Sequence, residues 1–237
     1  MKILGIIPAR AGSKGVPGKN IKLLGDKPLI AYTAISSRES SFLTDTIIST
    51  DSEVIANVAA KYNIQVPFIR PAGLATDKAS SIDVVIHAVE ALSAEGRRYD
   101  AVCLLQPTHP FRQQGFIDKA IKKFIEAGTD SLISVLAVPA EFNPHWVFEV
   151  TSNGNLAVAT GDKEIITRRQ DLPEAFYRDG NIYLTKISSV LDQRSLYGKS
   201  ISYIESDPRW HVNIDTPHDW ELATEIVLRI NSPKVDE

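Results

Sequence analysis

Residues 4–20 read LGIIPARAGSKGVPGKN, an apolar run that breaks at a proline into a loop with three glycines and three cations. The run at residues 3–7 is typical of a buried strand, because such strands are continuously apolar. Glycines in the loop allow the backbone to bend and to approach a ligand closely. Backbone N–H groups and cationic side chains bind polyanions such as a triphosphate. The stretch predicts a strand followed by a phosphate loop, with Arg10, Lys14 and Lys19 as its cations.

A plain surface turn is the alternative for this loop, since glycine and lysine are common in turns. Its position favours the phosphate loop, because open α/β sheets bind ligands directly after a strand. The loop is not a Walker A motif: five residues separate Gly12 from Gly18, and Lys19 is followed by Asn20 instead of serine or threonine. This spacing argues against a P-loop phosphotransferase.

The composition is that of an ordinary soluble globular protein. The chain has 237 residues, of which 43% are hydrophobic and 23% charged, enough for one large domain. The formal net charge of −3, without a basic tract, argues against general nucleic-acid binding. Cys103 is the only cysteine, so no intrachain disulfide forms, and its apolar neighbours predict a buried packing residue. The sequence shows no signal peptide and no apolar run of 18 residues, so we expect a cytoplasmic protein without a membrane partner.

Apolar strand-like runs alternate with helical periodicity along most of the chain. This alternation predicts an α/β fold with a mostly parallel sheet flanked by helices. The predicted strands are residues 3–7, 45–50, 65–69, 100–106, 131–138, 200–204 and 212–214. The predicted helices are residues 28–38, 52–62, 82–92, 116–127 and 217–230.

The pattern changes at about residues 139–177, where the alternation stops. Asn153-Gly154 between two short strand-like runs predicts a hairpin. We interpret the region as a lobe inserted into one domain. Three arginines follow near its end, Arg168, Arg169 and Arg178, and the guanidinium group suits a carboxylate ligand. Ion pairing with neighbouring acidic residues is the plain alternative for them.

Two polar residues follow predicted strands at the ligand-binding edge. Gln106 ends the most apolar strand, and its amide can both donate to and accept from a nucleobase or a sugar hydroxyl. Asp215 follows the strand predicted at 212–214 and faces the phosphate loop. Its carboxylate and triphosphate oxygens are typical Mg²⁺ ligands, whereas helix capping is the alternative role. Arg112 has either a structural or a site role, and the sequence leaves both open.

Five blocks in order resemble the CMP-sialic acid synthetases, the acylneuraminate cytidylyltransferases. The resemblance spans residues 3–228. The blocks are IIPARAGSKGVPGKNIKLLGDKPLIAYT (6–33), RPAGLATDKASSIDVVIH (70–87), LLQPTHPFR (104–112), TRRQDLPEAFYRDGNIY (167–183) and RWHVNIDTPHDWE (209–221).

The resemblance implies a Rossmann-like nucleotidyltransferase fold and an activity. Such an enzyme transfers CMP from CTP to the anomeric hydroxyl of a nonulosonic acid and releases pyrophosphate. N-acetylneuraminic acid is the first expectation. Legionaminic, pseudaminic and deaminated nonulosonic acids are alternatives, and 3-deoxy-octulosonic acid is a more distant one. The lobe would be a homodimerisation arm that reaches into the partner's sugar site.

The resemblance also implies site residues. The catalytic residues would be Arg10, Lys19 and Asp215, with Mg²⁺ as cofactor. Nucleotide-binding residues would be Ala9, Arg10, Ser13, Lys14, Lys19, Asn20, Arg70, Ser81 and Gln106. Substrate-binding residues would be Gln106, Arg168, Arg169, Gln170 and Arg178. The family often has two aspartates where this chain has Asn213 and Asp215, so the metal ligands would be Asp215 and the Asn213 amide oxygen. The missing carboxylate leaves a second metal open and permits a non-catalytic CTP sensor.

Overall fold

The computed structural model describes residues 1–231 and contains alternating strands and helices. The strands are β1 (Ile3–Pro8), β2 (Leu23–Leu24), β3 (Lys27–Pro28), β4 (Asp45–Ser49), β5 (Ala101–Leu104), β6 (Ser131–Ala137), β7 (Phe148–Val150), β8 (Leu156–Val158), β9 (Phe176–Lys186) and β10 (Ile201–Glu205). The helices are α1 (Leu29–Arg38), α2 (Glu53–Lys61), α3 (Ser81–Ala94), α4 (Phe116–Ala127), α5 (Ile187–Leu191) and α6 (Pro217–Asn231).

The main sheet has six strands in the order β10-β6-β9-β5-β1-β4. Strand β1 pairs in parallel with β4 and β5, and β10 pairs in parallel with β6. The predicted α/β fold with a mostly parallel sheet is therefore confirmed. Because parallel strands point the same way, the loops after β1, β4 and β5 meet at one edge of the sheet.

Strand β9 is the element that the sequence did not reveal. It lies between β5 and β6 and is antiparallel to both. Its pairing with β6 shifts register between Ile133 and Val135. Gly180 interrupts the β9 sequence with φ +84°, and such irregular strands lack the even alternation that identifies strands in sequence. The second half of β9 pairs with β5, and because the two strands are antiparallel, the first half of β9 extends past the carboxyl end of β5.

Two predicted strands are wrong. Residues 65–69 make only isolated bridges to β4 and its extension, at Gln65 and Ile69. Pro67 lies between them and has no N–H group for a continuous ladder. Residues 212–214 are not a strand either, and the Ile214 N–H donates instead to the carbonyl of Thr108 at 3.0 Å.

Helices cover both faces of the sheet. One buried cluster joins α1, α2 and α4 to the sheet, and a second joins α3 and α5 to the other face. A third cluster packs α6 against β2 and the end of the phosphate loop, with Val16, Leu24, Ile214 and Trp220 among its members. Cys103 is fully buried, as predicted, and burial raises the pKa of its thiol to about 12.

The hairpin predicted around Gly154 consists of β7 and β8, and the glycine has φ +79°. These two strands form a separate two-stranded sheet, and in the described part of the chain they do not pair with the main sheet. Within residues 1–231, the helices are all too short or too polar to cross a bilayer.

Candidate active site

The phosphate loop is held at its ends by hydrogen bonds. The Ala11 N–H donates to Asp51 Oδ1 at 2.9 Å, which links the loop to the end of β4. The buried Asn20 amide donates to the Arg10 carbonyl at 2.9 Å. These contacts fix the loop directly after β1, where its cations and backbone amides face the carboxyl edge of the sheet.

Lys19 and Asp215 lie 196 positions apart in the sequence and form one unit. The Lys19 ammonium donates to the Ile214 carbonyl at 2.6 Å and to Asp215 Oδ1 at 3.0 Å. The Asn213 amide donates to Asp215 Oδ2 at 2.7 Å. The last block is thereby attached to the first loop, and the Asp215 carboxylate remains 60% exposed.

The cap of α6 does not use the Asp215 side chain. The Thr216 hydroxyl accepts from the Asp219 N–H at 3.3 Å, and the Asp219 carboxylate accepts from the Thr216 N–H at 2.7 Å. This reciprocal cap satisfies the first turn of the helix. The structure therefore contradicts the alternative that the Asp215 side chain caps α6.

A cavity of about 380 Å³ opens between the phosphate loop and the start of α3, and we call it the loop cavity. Predicted site residues supply half of its lining: Arg10, Ser13, Lys19, Asn20, Arg70, Ser81, Gln106 and Asp215. Among the other predicted nucleotide ligands, Ala9 is buried beneath the loop and the Lys14 side chain is 84% exposed above it. The loop cavity thus brings together residues from four separate blocks.

Arg70 is the most deeply buried cation of the loop cavity. Its side chain is only 3% exposed and lies 3.9 Å from Asp51. Burial lowers the pKa of its guanidinium, although Asp51 opposes that effect. Within residues 1–231, its Nε and Nη2 atoms have no hydrogen-bond partner. Buried donors without partners are costly, so this guanidinium is suited to a polar group of a bound ligand.

A second cavity, of about 580 Å³, lies beside the first half of β9, and we call it the β9 cavity. It shares Ser81, Gln106, Thr108 and Asp215 with the loop cavity. Its other walls come from β9 and from the segment after α5. The sequence did not identify these lining residues, which include His109, Tyr183, Arg194, Leu196 and Tyr197.

Of the three predicted carboxylate-binding arginines, only Arg178 lines one of these two cavities among the described residues. Its guanidinium donates to the Tyr197 hydroxyl, and that hydrogen bond raises its pKa. Arg168 donates instead to Asp171 at 2.6 Å on the lobe. Arg169 lines a different depression, and Gln170 is exposed. That Arg168, Arg169 and Gln170 contact a substrate stays a prediction. It would require the lobe of one subunit to reach the sugar site of its partner.

Arg112 is a structural clamp beneath both cavities. Its buried guanidinium donates to the carbonyls of Gln106, His109 and Asn181 at 2.7–2.9 Å, and to Thr33 Oγ1 at 2.9 Å. The three carbonyls belong to the loop after β5 and to β9, and Thr33 belongs to α1. Arg112 therefore holds the backbone of Gln106 in place, which gives it the structural role that the sequence left open.

His109 is a neutral group beneath the β9 cavity. It is 5% exposed, and burial, reinforced by Arg112 and His211, lowers its pKa to about 3. The ring is therefore uncharged at neutral pH and adds no cation to the cavity. Two cations of the described chain line this cavity, Arg178 and Arg194, and Arg194 is already paired with Asp83 at 2.5 Å. Arg178, whose hydrogen-bond partner is the uncharged Tyr197 hydroxyl, is therefore the cation better placed to bind an acidic ligand there.

Metal binding by protein groups alone is not supported in residues 1–231, which contain no group of three or more acidic, histidine or cysteine side chains arranged for an ion. Asp215 and Asn213 nevertheless lie side by side where the two cavities meet. The Asn213 amide now turns its nitrogen toward Asp215, and rotation of the amide would present its oxygen instead. One carboxylate and one amide oxygen are ligands that suit Mg²⁺, which commonly takes its remaining ligands from substrate phosphates and water. The residues present therefore fit a Mg²⁺ ion that arrives with a nucleotide triphosphate.

Comparison with known families matches residues 4–227 to a family model described as cytidylyltransferase. The chain is 36% identical to the CMP-N,N'-diacetyllegionaminic acid synthase of Legionella pneumophila, over 98% of both chains. It is 33% identical to the pseudaminic acid cytidylyltransferase of Campylobacter jejuni, again over 98% of both. The N-acylneuraminate cytidylyltransferase of Escherichia coli is 32% identical, over 99% of this chain and 54% of that protein.

A solved structure of a CMP:2-keto-3-deoxy-manno-octonic acid synthetase complexed with CTP superimposes with a TM-score of 0.72. The match covers 97% of this chain and all of that one, at 16% identity. At this identity the likeness establishes a shared fold.

Proposed function

The chain belongs to the cytidylyltransferase family, and we propose that it transfers CMP from CTP to the anomeric hydroxyl of a nonulosonic acid. One observation carries this proposal: the loop cavity and the β9 cavity meet at Gln106 and Asp215. A nucleotide in the first cavity and an acidic sugar in the second would bring their reacting atoms together there.

The reaction is a displacement at phosphorus. The anomeric oxygen attacks the α-phosphorus of CTP, the bond to the β-phosphate oxygen breaks, and pyrophosphate leaves with the bonding electrons. The hydroxyl proton is released to water. Such a transfer requires alignment of the reactants and neutralisation of charge more than covalent help from the protein.

The cations of the loop cavity suit the triphosphate. Lys19 is held beside Asp215, while Arg10 and Lys14 both pair with Asp77, which lines the same cavity. Arg70 offers its unpartnered N–H groups to a polar part of the nucleotide, with Ser81, Asn20 and Gln106 around it. Arg178, from β9, binds the carboxylate of the sugar acid through its planar fork.

Asp215 and Asn213 would hold Mg²⁺ through their side-chain oxygens. When bound, this ion neutralises charge on the phosphate oxygens and helps to align the reactants. Lys19 keeps the Asp215 carboxylate in position, because it anchors both the side chain and the preceding carbonyl.

The relatives guide the choice of sugar. Two proteins that match the chain over nearly their whole length are named for N,N'-diacetyllegionaminic and pseudaminic acids. This favours a bacterial nonulosonic acid of that type as the first substrate to test. N-acetylneuraminic acid stays an alternative, since an N-acylneuraminate enzyme is 32% identical.

The lobe supports a homodimer as part of this proposal. Large apolar side chains on it are exposed, namely Phe142, Val147, Phe148, Val150, Leu156 and Ile165. Such a patch is suited to burial against a second chain. Sedimentation of the purified protein at several concentrations tests this assembly, and a monomer at all of them would contradict it.

A CTP-binding sensor without catalysis is the second candidate, because Asn213 replaces a carboxylate at the junction of the cavities. The test measures pyrophosphate release from CTP and Mg²⁺ with legionaminic, pseudaminic, N-acetylneuraminic, deaminated and 3-deoxy-octulosonic acids. Release that depends on one nine-carbon acid supports the transferase. CTP binding without release for any acid supports the sensor instead.

A further inference from the structure

The Asp77 carboxylate pairs with two cations of the phosphate loop that would otherwise be open to a bound anion. It lines the loop cavity on the segment between Arg70 and α3. Its Oδ1 lies 2.7 Å from Arg10 Nη2, and its Oδ2 lies 2.5 Å from Lys14 Nζ. One oxygen therefore pairs with each of two cations that the proposed function assigns to the triphosphate.

These contacts keep Asp77 charged. Hydrogen bonds from Lys14 and then from Arg10 hold the pKa of its carboxyl below the ordinary value. With Asp77 in place, the three side chains carry a net charge of +1 instead of +2. The phosphate loop therefore presents a weaker positive potential to an incoming polyanion.

Asp77 is also the polar link between two segments. Within residues 1–231, all hydrogen bonds and ion pairs between residues 71–79 and residues 9–20 run through its carboxylate. The participants are accessible to solvent, since Asp77 is 42% exposed and Lys14 84% exposed. A ligand that takes over the two cations thus breaks a weak, exposed contact and not a buried one.

Resting on the proposed function, we propose that Asp77 is a built-in competitor for the triphosphate. Its carboxylate occupies Arg10 and Lys14 in the free enzyme, and CTP must displace it to bind. The displaced carboxylate is repelled by the phosphates, so the segment 71–79 loses its polar link to the loop. Asp77 therefore sets the affinity for the nucleotide and the salt dependence of its binding.

The test is direct CTP binding by calorimetry to the full chain, with and without Mg²⁺ and without sugar acid. We expect Asp77→Asn to bind CTP about three- to tenfold more tightly, the scale of two exposed ion pairs lost together. Its affinity should fall more steeply with added salt, because two uncompensated cations then face the ligand. Asp77→Glu, which keeps the charge, should bind more weakly than Asp77→Asn.

Asp26→Asn is the matched control, because Asp26 pairs with Lys27 outside both cavities and loses the same charge. Its CTP affinity should change less than about twofold, because the lost charge lies outside both cavities and is screened by solvent and salt. In an Arg10→Ala background, the gain from Asp77→Asn should shrink, because one of the contested cations is already gone.

Equal or weaker CTP binding by Asp77→Asn would overturn the inference. If Asp77→Asn bound CTP more weakly than the wild type only when Mg²⁺ is present, the inference would be overturned too, since Asp77 would then be a metal ligand. Failure of the proposed function gives a different result: the wild-type chain would release no pyrophosphate with any acid, whatever Asp77→Asn does to CTP binding.

Discussion

Gly15 lies directly against the backbone carbonyl of Asp215. A Cβ atom added at position 15 would be 1.8 Å from that oxygen. The contact joins the phosphate loop to the segment that carries the proposed metal ligand. Only glycine allows this approach, because any side chain would push the two segments apart.

We therefore expect Gly15→Ala to shift Asp215 and to lower kcat. A displacement of about 1 Å at a reacting centre can cost on the order of 100-fold in rate. Gly73→Ala is the control, since nothing lies within 4 Å of a Cβ there. Steady-state pyrophosphate release checks the prediction, and equal kcat values for the two variants would contradict it.

Asp215→Ala should lower turnover by about 10²- to 10³-fold, the cost of losing one group that stabilises charge in a transition state. The side chain is exposed and does not cap α6, so the protein should keep its circular dichroism spectrum, and loss of the Lys19 ion pair should lower the melting temperature only slightly. Pyrophosphate release with saturating CTP and Mg²⁺ measures the effect. A variant with near-normal activity would remove Asp215 from the site.

Asn213→Asp should lower the Mg²⁺ concentration needed for half-maximal activity. The Asn213 amide now donates to Asp215 at 2.7 Å, so the change replaces a donor with a second carboxylate. Added carboxylate charge strengthens binding of hard cations. Asn153→Asp, at the exposed tip of the β7–β8 hairpin, is the control. An unchanged Mg²⁺ titration would mean that position 213 does not contact the metal.

Arg178→Ala should raise the KM for the sugar acid by about 10- to 100-fold, as expected for a lost hydrogen bond to a charged group. The KM for CTP should change much less, because Arg178 lines the β9 cavity but not the loop cavity. Arg209→Ala is the control: that residue pairs with Asp207 on the exposed surface.

Initial rates with each substrate varied separate the two KM values. A larger rise in the KM for CTP would contradict the assignment of Arg178. An effect of Arg168→Ala as large as that of Arg178→Ala would mean that the lobe of a second chain completes the sugar site.

His109 should make the protein less stable as the pH falls below about 6.5. The folded ring stays neutral down to a pKa of about 3, whereas the unfolded ring is protonated from its ordinary value of 6.5 downward. The unfolded state thus binds more protons in this window, so the free energy of unfolding falls as pH is lowered. One such group contributes up to about 1.4 kcal/mol per pH unit.

Urea unfolding between pH 6.5 and pH 5 measures this slope. His109→Gln should reduce it, whereas His218→Gln should not, because His218 is 75% exposed on α6. Equal slopes for the wild type and His109→Gln would contradict the buried, neutral state of His109.

The sequence by itself determined the α/β class and the edge of the sheet that carries the candidate site. Strands β1 and β5 are continuous, buried apolar runs, so the polar residue or loop after each can be placed at the carboxyl edge without coordinates. The phosphate loop after β1 and Gln106 after β5 were located in this way. Helix periodicity likewise predicted α4 at residues 116–127, the same bounds that the structure has.

Tertiary structure alone decided which distant residues meet. The insertion of β9 between β5 and β6 brings Arg178 to the site and leaves Arg168 on the lobe, although the two are neighbours in one block. The approach of Gly15 to Asp215 and the pairing of Asp77 with Arg10 also depend on strand order and loop path. Local periodicity records which face of an element is buried. It does not record which elements pack together, so contacts between segments far apart in the chain appear only in the folded protein.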